Sequence, residues 1–243
     1  MHELVNLAIQ AQGGLERWRQ FHAVSAHLDV GGVLWGLKRQ AGVIEAVDVR
    51  VSLREQEVSH TPNPEWHTRY TPGRVAIQTA EGAVLEELPN PRASFGGHTL
   101  ETPWSRLQLA YFAGYAMWNY FNTPFQFARP GFGVAEMEPW PENGETWRRL
   151  RVTWPGDIHT HSGEQVCYVD AAGLIRRLDY AVEISGNSPA AHYLYDYRDV
   201  DGIRLATRRV VYLLGEDNRP RLEGPVVVSI DLTNIQFESQ PTP

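Results

Sequence analysis

Between Trp104 and Phe121 the chain reads WSRLQLAYFAGYAMWNYF, a stretch without proline in which Leu107, Tyr111, Tyr115 and Trp118 recur at steps of four, four and three. That spacing places four large side chains on one face of an α-helix. Phe112, Ala116 and Tyr120 form a second face, so the helix is apolar around most of its circumference. Such a helix has to be enclosed by the rest of the fold. Thr102 as N-cap and Pro103 at the first helical position supply its start, which predicts a helix over 103–122.

The flanking sequence that must do the enclosing is β-rich on both sides. Residues 1–21 open the chain as an amphipathic helix that stops at Gly13-Gly14, with one further helical turn up to Phe21. A first β meander follows over 22–88: HAVSAHLDVGGVLWGLKR and VIEAVDVRVSL read as long strands bent at glycines, and RVAIQTA with AVLEEL as a hairpin about Glu81-Gly82. Glu57 to Tyr70, with Pro62 and Pro64, reads as a turn or loop. A second meander over 145–237 contains WRRLRVTW, EQVCYVD, LIRRLDYAVEI, AAHYLYDYRD, IRLATRRVVYLL and VVVSIDLTNIQF. The short turns between these segments require antiparallel neighbours. The expected fold is mainly β (α+β), in one domain over 1–237 with a disordered tail at 238–243. A long antiparallel curled sheet, or unclosed β-barrel, wraps around a buried aromatic helix, because curling covers the helix and shortens exposed edges.

This order of elements, together with Tyr193-Leu194-Tyr195-Asp196-Tyr197-Arg198-Asp199-Val200-Asp201-Gly202-Ile203, resembles the LolA/LolB lipoprotein-localisation fold and its tyrosine-rich hairpin. The resemblance implies an unclosed barrel with helical elements over its concave side. Most of the chain, through ASFGGHTLETPW, LAYFAGYAMWNY, GETWRRL, GLIRRLDY and DVDGIRLATRRVVY, also resembles a group of uncharacterised bacterial proteins of similar length, which supplies no mechanism.

The formal net charge of −7 argues against nucleic-acid binding, which calls for a basic face. The single cysteine, Cys167, cannot form an intramolecular disulfide, and a reduced cytoplasm is the expected location. No apolar run is long enough for a membrane span. Phosphate-binding loops, a dinucleotide fingerprint and a Gly-x-Ser-x-Gly elbow are missing, so no cofactor is expected.

What remains for function is an aromatic content of 11% and a charged second meander. Tyr111, Tyr115, Trp118 and Tyr120, then Phe121, Phe125 and Phe127, can wall an apolar cavity for a small hydrophobic molecule with a carboxyl or carbonyl end. They can equally fill an ordinary core, leaving an interaction protein. Strand alternation puts Arg177 and Asp179 on one face and Arg176 and Tyr180 on the other; it groups His192, Leu194 and Asp196 against Tyr193, Tyr195 and Tyr197. If the Arg177/Asp179 face is concave, it meets His192, Asp196 and either Arg208 or Arg209. A cofactor-independent lyase, isomerase or cyclase would then use Asp179 or His192 as acid/base beside Arg177. If the face is convex, the same residues are cross-strand charge ladders. His159 and His161 point the same way in an extended segment, which suits either a metal or hydrogen bonding near a pocket rim, where His98 is a further candidate. The ligand-binding candidates are therefore Tyr111, Tyr115, Trp118, Phe125, His161, Tyr180, Tyr193, Asp196 and Arg208.

Overall fold

The computed structural model describes residues 1–239. Six strands precede the aromatic helix: β1 (Phe21–Gly31), β2 (Ala46–Ser52), β3 (Val58–Asn63), β4 (Trp66–Thr71), β5 (Arg74–Thr79) and β6 (Val84–Pro89). Seven follow it: β7 (Gly133–Glu142), β8 (Glu145–Thr153), β9 (Glu164–Val169), β10 (Ile175–Val182), β11 (Ser188–Val200), β12 (Ile203–Leu213) and β13 (Val228–Ser239). They form one antiparallel sheet in the order β6-β5-β4-β3-β2-β1-β13-β12-β11-β10-β9-β8-β7. Each meander is laid down by consecutive hairpins, and β1 joins β13 at the centre, with Leu28 opposite Leu232 and Val30 opposite Ile230. β6 and β7 remain as edges, so the curled sheet does not close into a barrel.

The helices are α1 (Glu3–Ala11), α2 (Gly14–Trp18), the single turn α3 (Leu34–Leu37) and α4 (Arg106–Asn122). α4 is the aromatic helix, and every residue from Leu109 to Asn122 is buried. It packs against β2 to β6, and Gly114 brings its backbone onto Tyr70 of β4 so closely that a Cβ there would lie 2.3 Å from the ring. Its start differs from the expected one. Ser105, not Thr102, is the N-cap, and it forms a capping box in which Ser105 Oγ accepts from the Gln108 amide and Gln108 Oε1 accepts from the Ser105 amide. Thr102 instead belongs to the preceding turn, its amide donating to Thr99 O.

Five further boundaries are corrected. Glu57 to Tyr70 is not a loop but the β3–β4 hairpin, with Val58 opposite Tyr70 and His60 opposite Thr68. Pro62 falls where the register slips between His60 and Asn63, so its missing N–H costs no ladder bond. The VLWGLKR segment leaves the sheet as α3. β7 lies before the expected start of the second meander at 145, as an edge strand whose Pro139 adjoins a register shift between Met137 and Trp140. The N-terminal helix over 1–21 is two helices, with Phe21 already in β1, and β13 carries order through Glu238 and Ser239. The rest of the expected tail, 240–243, lies outside the described residues.

Candidate functional site

His159 and His161 do share a direction, and it is toward α4. Tyr111 Oη lies 2.9 Å from His159 Nδ1 and Tyr115 Oη 3.1 Å from His161 Nδ1. The pairing is metric: two extended residues advance about 6.6 Å and one helical turn of four residues about 6 Å. His161 Nε2 is taken by Tyr120 Oη at 3.0 Å, so both nitrogens of this ring are engaged by tyrosines. Burial, reinforced by the positive charge of Arg92, pulls the His161 pKa down to about 3 and keeps the ring neutral. Among the described residues no group of three His, Cys, Asp or Glu is placed to hold a metal.

An apolar cavity lies along the other face of α4, the one built from Phe112, Ala113, Ala116, Met117 and Tyr120. Opposite stand Leu28, Val30, Val47, Val211 and Ile230 of the sheet. The space between is a cavity of about 60 Å³ that opens to solvent. The cavity is therefore a narrow slot. Its partly exposed lining residues, Leu100, Val182, Ser188, Leu213 and Val227, mark the mouth at one end of the sheet. His98 sits on the loop bordering that end, its ring against Phe95. Trp104 Nε1, Ser185 Oγ and His60 Nε2 belong to lining residues and have no hydrogen-bond partner.

Away from the mouth, the inward residue beyond the apolar lining is polar on three consecutive strands: Tyr180 beyond Val182, His192 beyond Ala190, and Arg209 beyond Val211. These side chains form a loose chain with the helix. Tyr120 Oη is 3.3 Å from Tyr180 Oη, which is 3.4 Å from His192 Nδ1, and His192 Nε2 is 3.5 Å from Arg209 Nη1. Arg209 Nη2 donates to Tyr120 O at 3.1 Å, and the guanidinium carbon stands 4.9 Å from the centre of the Tyr120 ring. Arg209 Nε has no partner, and no carboxylate among the described residues pairs with this arginine. Burial drives the Arg209 pKa down from the ordinary guanidinium value and, with the Arg209 charge beside it, holds His192 well below its own.

The expected catalytic group of Asp179, His192 and Arg177 is divided between the two faces of the sheet. Leu178 is the cross-strand partner of His192, and Arg177 of Tyr193, so Arg177 and Asp179 are convex while His192 is concave. On the convex side Arg177 Nε and Nη2 donate to Asp179 Oδ1 and Oδ2 at 2.6 and 2.7 Å, and Nη1 donates to Glu142 Oε2 at 2.7 Å. Arg177 Nη2 also reaches Asn218 O, and Tyr168 Oη donates to Asp179 Oδ2, each at 2.7 Å. Tyr193 Oη donates to Glu142. The β7–β8 hairpin and the loop before β13 thus cover these charges. Burial raises the Asp179 pKa in spite of Arg177 and Tyr168.

Of the expected ligand-binding residues, His161 and Tyr180 line the slot. Tyr111, Tyr115 and Trp118 are packed elsewhere around α4, and Phe125 stacks on Trp18 at 4.1 Å. Tyr193 is convex, and Arg208 is exposed beside Tyr195. Asp196 is exposed with φ 53°, and it interrupts β11 between the Tyr195–Arg208 and Tyr197–Ala206 pairs. That irregularity resets the alternation, so Tyr197 packs on the main core and parts from Tyr193 and Tyr195. Sequence reasoning missed His60, whose segment carries the alternation Val58, His60 and then Thr68, Tyr70 on a buried face; it also selected Arg208 as the ligand-binding arginine, whereas Arg208 is exposed and Arg209 is the buried, concave one.

No family model and no curated protein matches the chain. Among solved structures it is similar to a LolA superfamily protein from Nitrosomonas europaea, at 8% identity over 98% of this chain and 93% of that one, with a TM-score of 0.53. It is also similar to a putative outer membrane lipoprotein-sorting protein domain from Vibrio parahaemolyticus, at 11% identity over 98% and 94%, with a TM-score of 0.51. The chain has the LolA-like fold.

Proposed function

We propose that this protein binds a hydrophobic, chain-like molecule in the slot between α4 and strands β1 and β10 to β13. The observation that carries the reading is the slot itself, apolar on both walls and open at one end. An empty cavity of 60 Å³ costs the fold about 1.5 kcal/mol at ~24 cal/mol per Å³, which an apolar guest recovers. The similarity to the putative lipoprotein-sorting domain of Vibrio parahaemolyticus supports a guest of this class in the same fold.

The test is displacement of the neutral fluorophore N-phenyl-1-naphthylamine by straight-chain alcohols of increasing length. Each methylene buried contributes about 0.8 kcal/mol, so affinity should rise about fourfold per carbon until the slot is full. Ala116→Phe fills the slot from the helix side and should abolish the displacement while circular dichroism stays unchanged. An affinity independent of chain length, or an unaffected A116F protein, would remove the proposal.

A further inference from the structure

We propose that the closed end of the slot is a carboxylate subsite: a single-chain acid enters head first, its carboxylate meeting Arg209 and the Tyr180 hydroxyl while its tail runs back to the mouth. The inference rests on the reading of the slot as a chain-binding site and adds the chemistry and direction of the guest.

Arg209 is a cation without a counter-charge. Arg177, its counterpart on the other face, has two carboxylates; Arg209 has none among the described residues. Of its five N–H groups, one makes a hydrogen bond of ordinary length, to Tyr120 O; Nη1 reaches His192 only at 3.5 Å, and Nε reaches nothing. A guanidinium that is 4% exposed and so poorly satisfied is stable only if something else supplies negative charge.

The position of Arg209 says where that charge enters. It follows Val211 on the inward row of β12, and its cross-strand partner is Ile230; both Val211 and Ile230 line the slot. The Tyr120 ring covers it, held over by the hydroxyl contact to Tyr180 at 3.3 Å. That link and its continuation through His192 to Arg209, at 3.3, 3.4 and 3.5 Å, are long against 3.0 and 3.1 Å for the two bonds at His161. An acceptor inserted between Tyr180 and Arg209 replaces long contacts by charge-assisted ones. The unpartnered groups elsewhere in the lining, Trp104 Nε1, Ser185 Oγ and His60 Nε2, are uncharged and cannot balance the arginine. One guanidinium with one hydroxyl matches a monoanionic, planar carboxylate better than a phosphate dianion.

The experiment compares dodecanoate, dodecan-1-ol, methyl dodecanoate and dodecyl phosphate as competitors of N-phenyl-1-naphthylamine at pH 8. Dodecanoate should bind about tenfold or more tightly than the alcohol and the ester, the ratio expected of a buried charge-assisted pair. It should also outcompete the phosphate. Arg209→Met should bring the acid-to-alcohol ratio to about one. Tyr180→Phe, which leaves the cation in place, should lower that ratio several-fold and provides the answer if R209M does not fold. Equal binding of acid and alcohol to the wild-type protein, preference for the phosphate, or an acid preference that survives Y180F and a folded R209M would each overturn the subsite while leaving the slot intact. If no dodecyl compound displaces the fluorophore, the slot reading fails and the subsite with it.

Discussion

Two buried arginines on nearby strands, Arg177 of β10 and Arg209 of β12, face opposite sides of one sheet and are stabilised in opposite ways. The convex Arg177 is saturated by Asp179, Glu142 and a backbone carbonyl, and it draws the β7–β8 hairpin and the loop before β13 onto the outside of the sheet. The concave Arg209 is left with a carbonyl, an imidazole and an aromatic ring. A complete ion-pair set is a structural pin; an incomplete one of the same residue type, at the end of an apolar slot, is what the proposed subsite rests on.

Substitution tests that asymmetry most severely. Arg177→Met strands two partly buried carboxylates and should cost about 3–5 kcal/mol in urea unfolding, whereas R209M removes an uncompensated cation and should stay within about 1 kcal/mol of wild type. Equal losses would break the comparison. Acid should sharpen it. His60 and His161, both concave, are held neutral by burial, with pKa values pulled to about 4 and about 3. The unfolded chain protonates them below about pH 6.5, so stability is full above that pH and declines as pH falls toward those lower values, by about 2 kcal/mol per histidine at pH 5. His60→Gln should flatten the decline only in part, since His161 and His192 contribute with the same sign. Asp179 on the convex face acts with the opposite sign, since its raised pKa favours the protonated folded form. Tyr193→Phe, on the convex face, deletes one bond to Glu142 and should cost about 1 kcal/mol with no change in alcohol or acid binding.

Much of this architecture is legible in the residues, because α4 combines helical spacing with apolar character on every side and short turns dictate the meanders. The helix start was misread because a proline-led signal at Thr102-Pro103 competes with the Ser105–Gln108 capping box three residues on. β3 and β7 were missed because both carry prolines, which register slips and an edge position accommodate. The candidate site was harder. Period-two alternation separates Arg177 from Tyr180 but cannot say which is inward when both faces of β10 are buried. A single irregular residue, Asp196, then reverses the pattern within β11. The helix faces show the same problem: the large residues Tyr111, Tyr115 and Trp118 pack solidly, and the slot opens where Ala113 and Ala116 are small.

The seam between β1 and β13 has a consequence in time. The first and the thirteenth strand of the sheet are neighbours, and Val30 with Ile230 brings one slot wall together across that seam. During synthesis the first meander and α4 can assemble while the slot is still missing a side. Only closure of that long loop, slow because its ends are so far apart in sequence, creates a compartment with an inside. A nascent chain stalled before β13 would therefore present an open apolar trough in place of the slot.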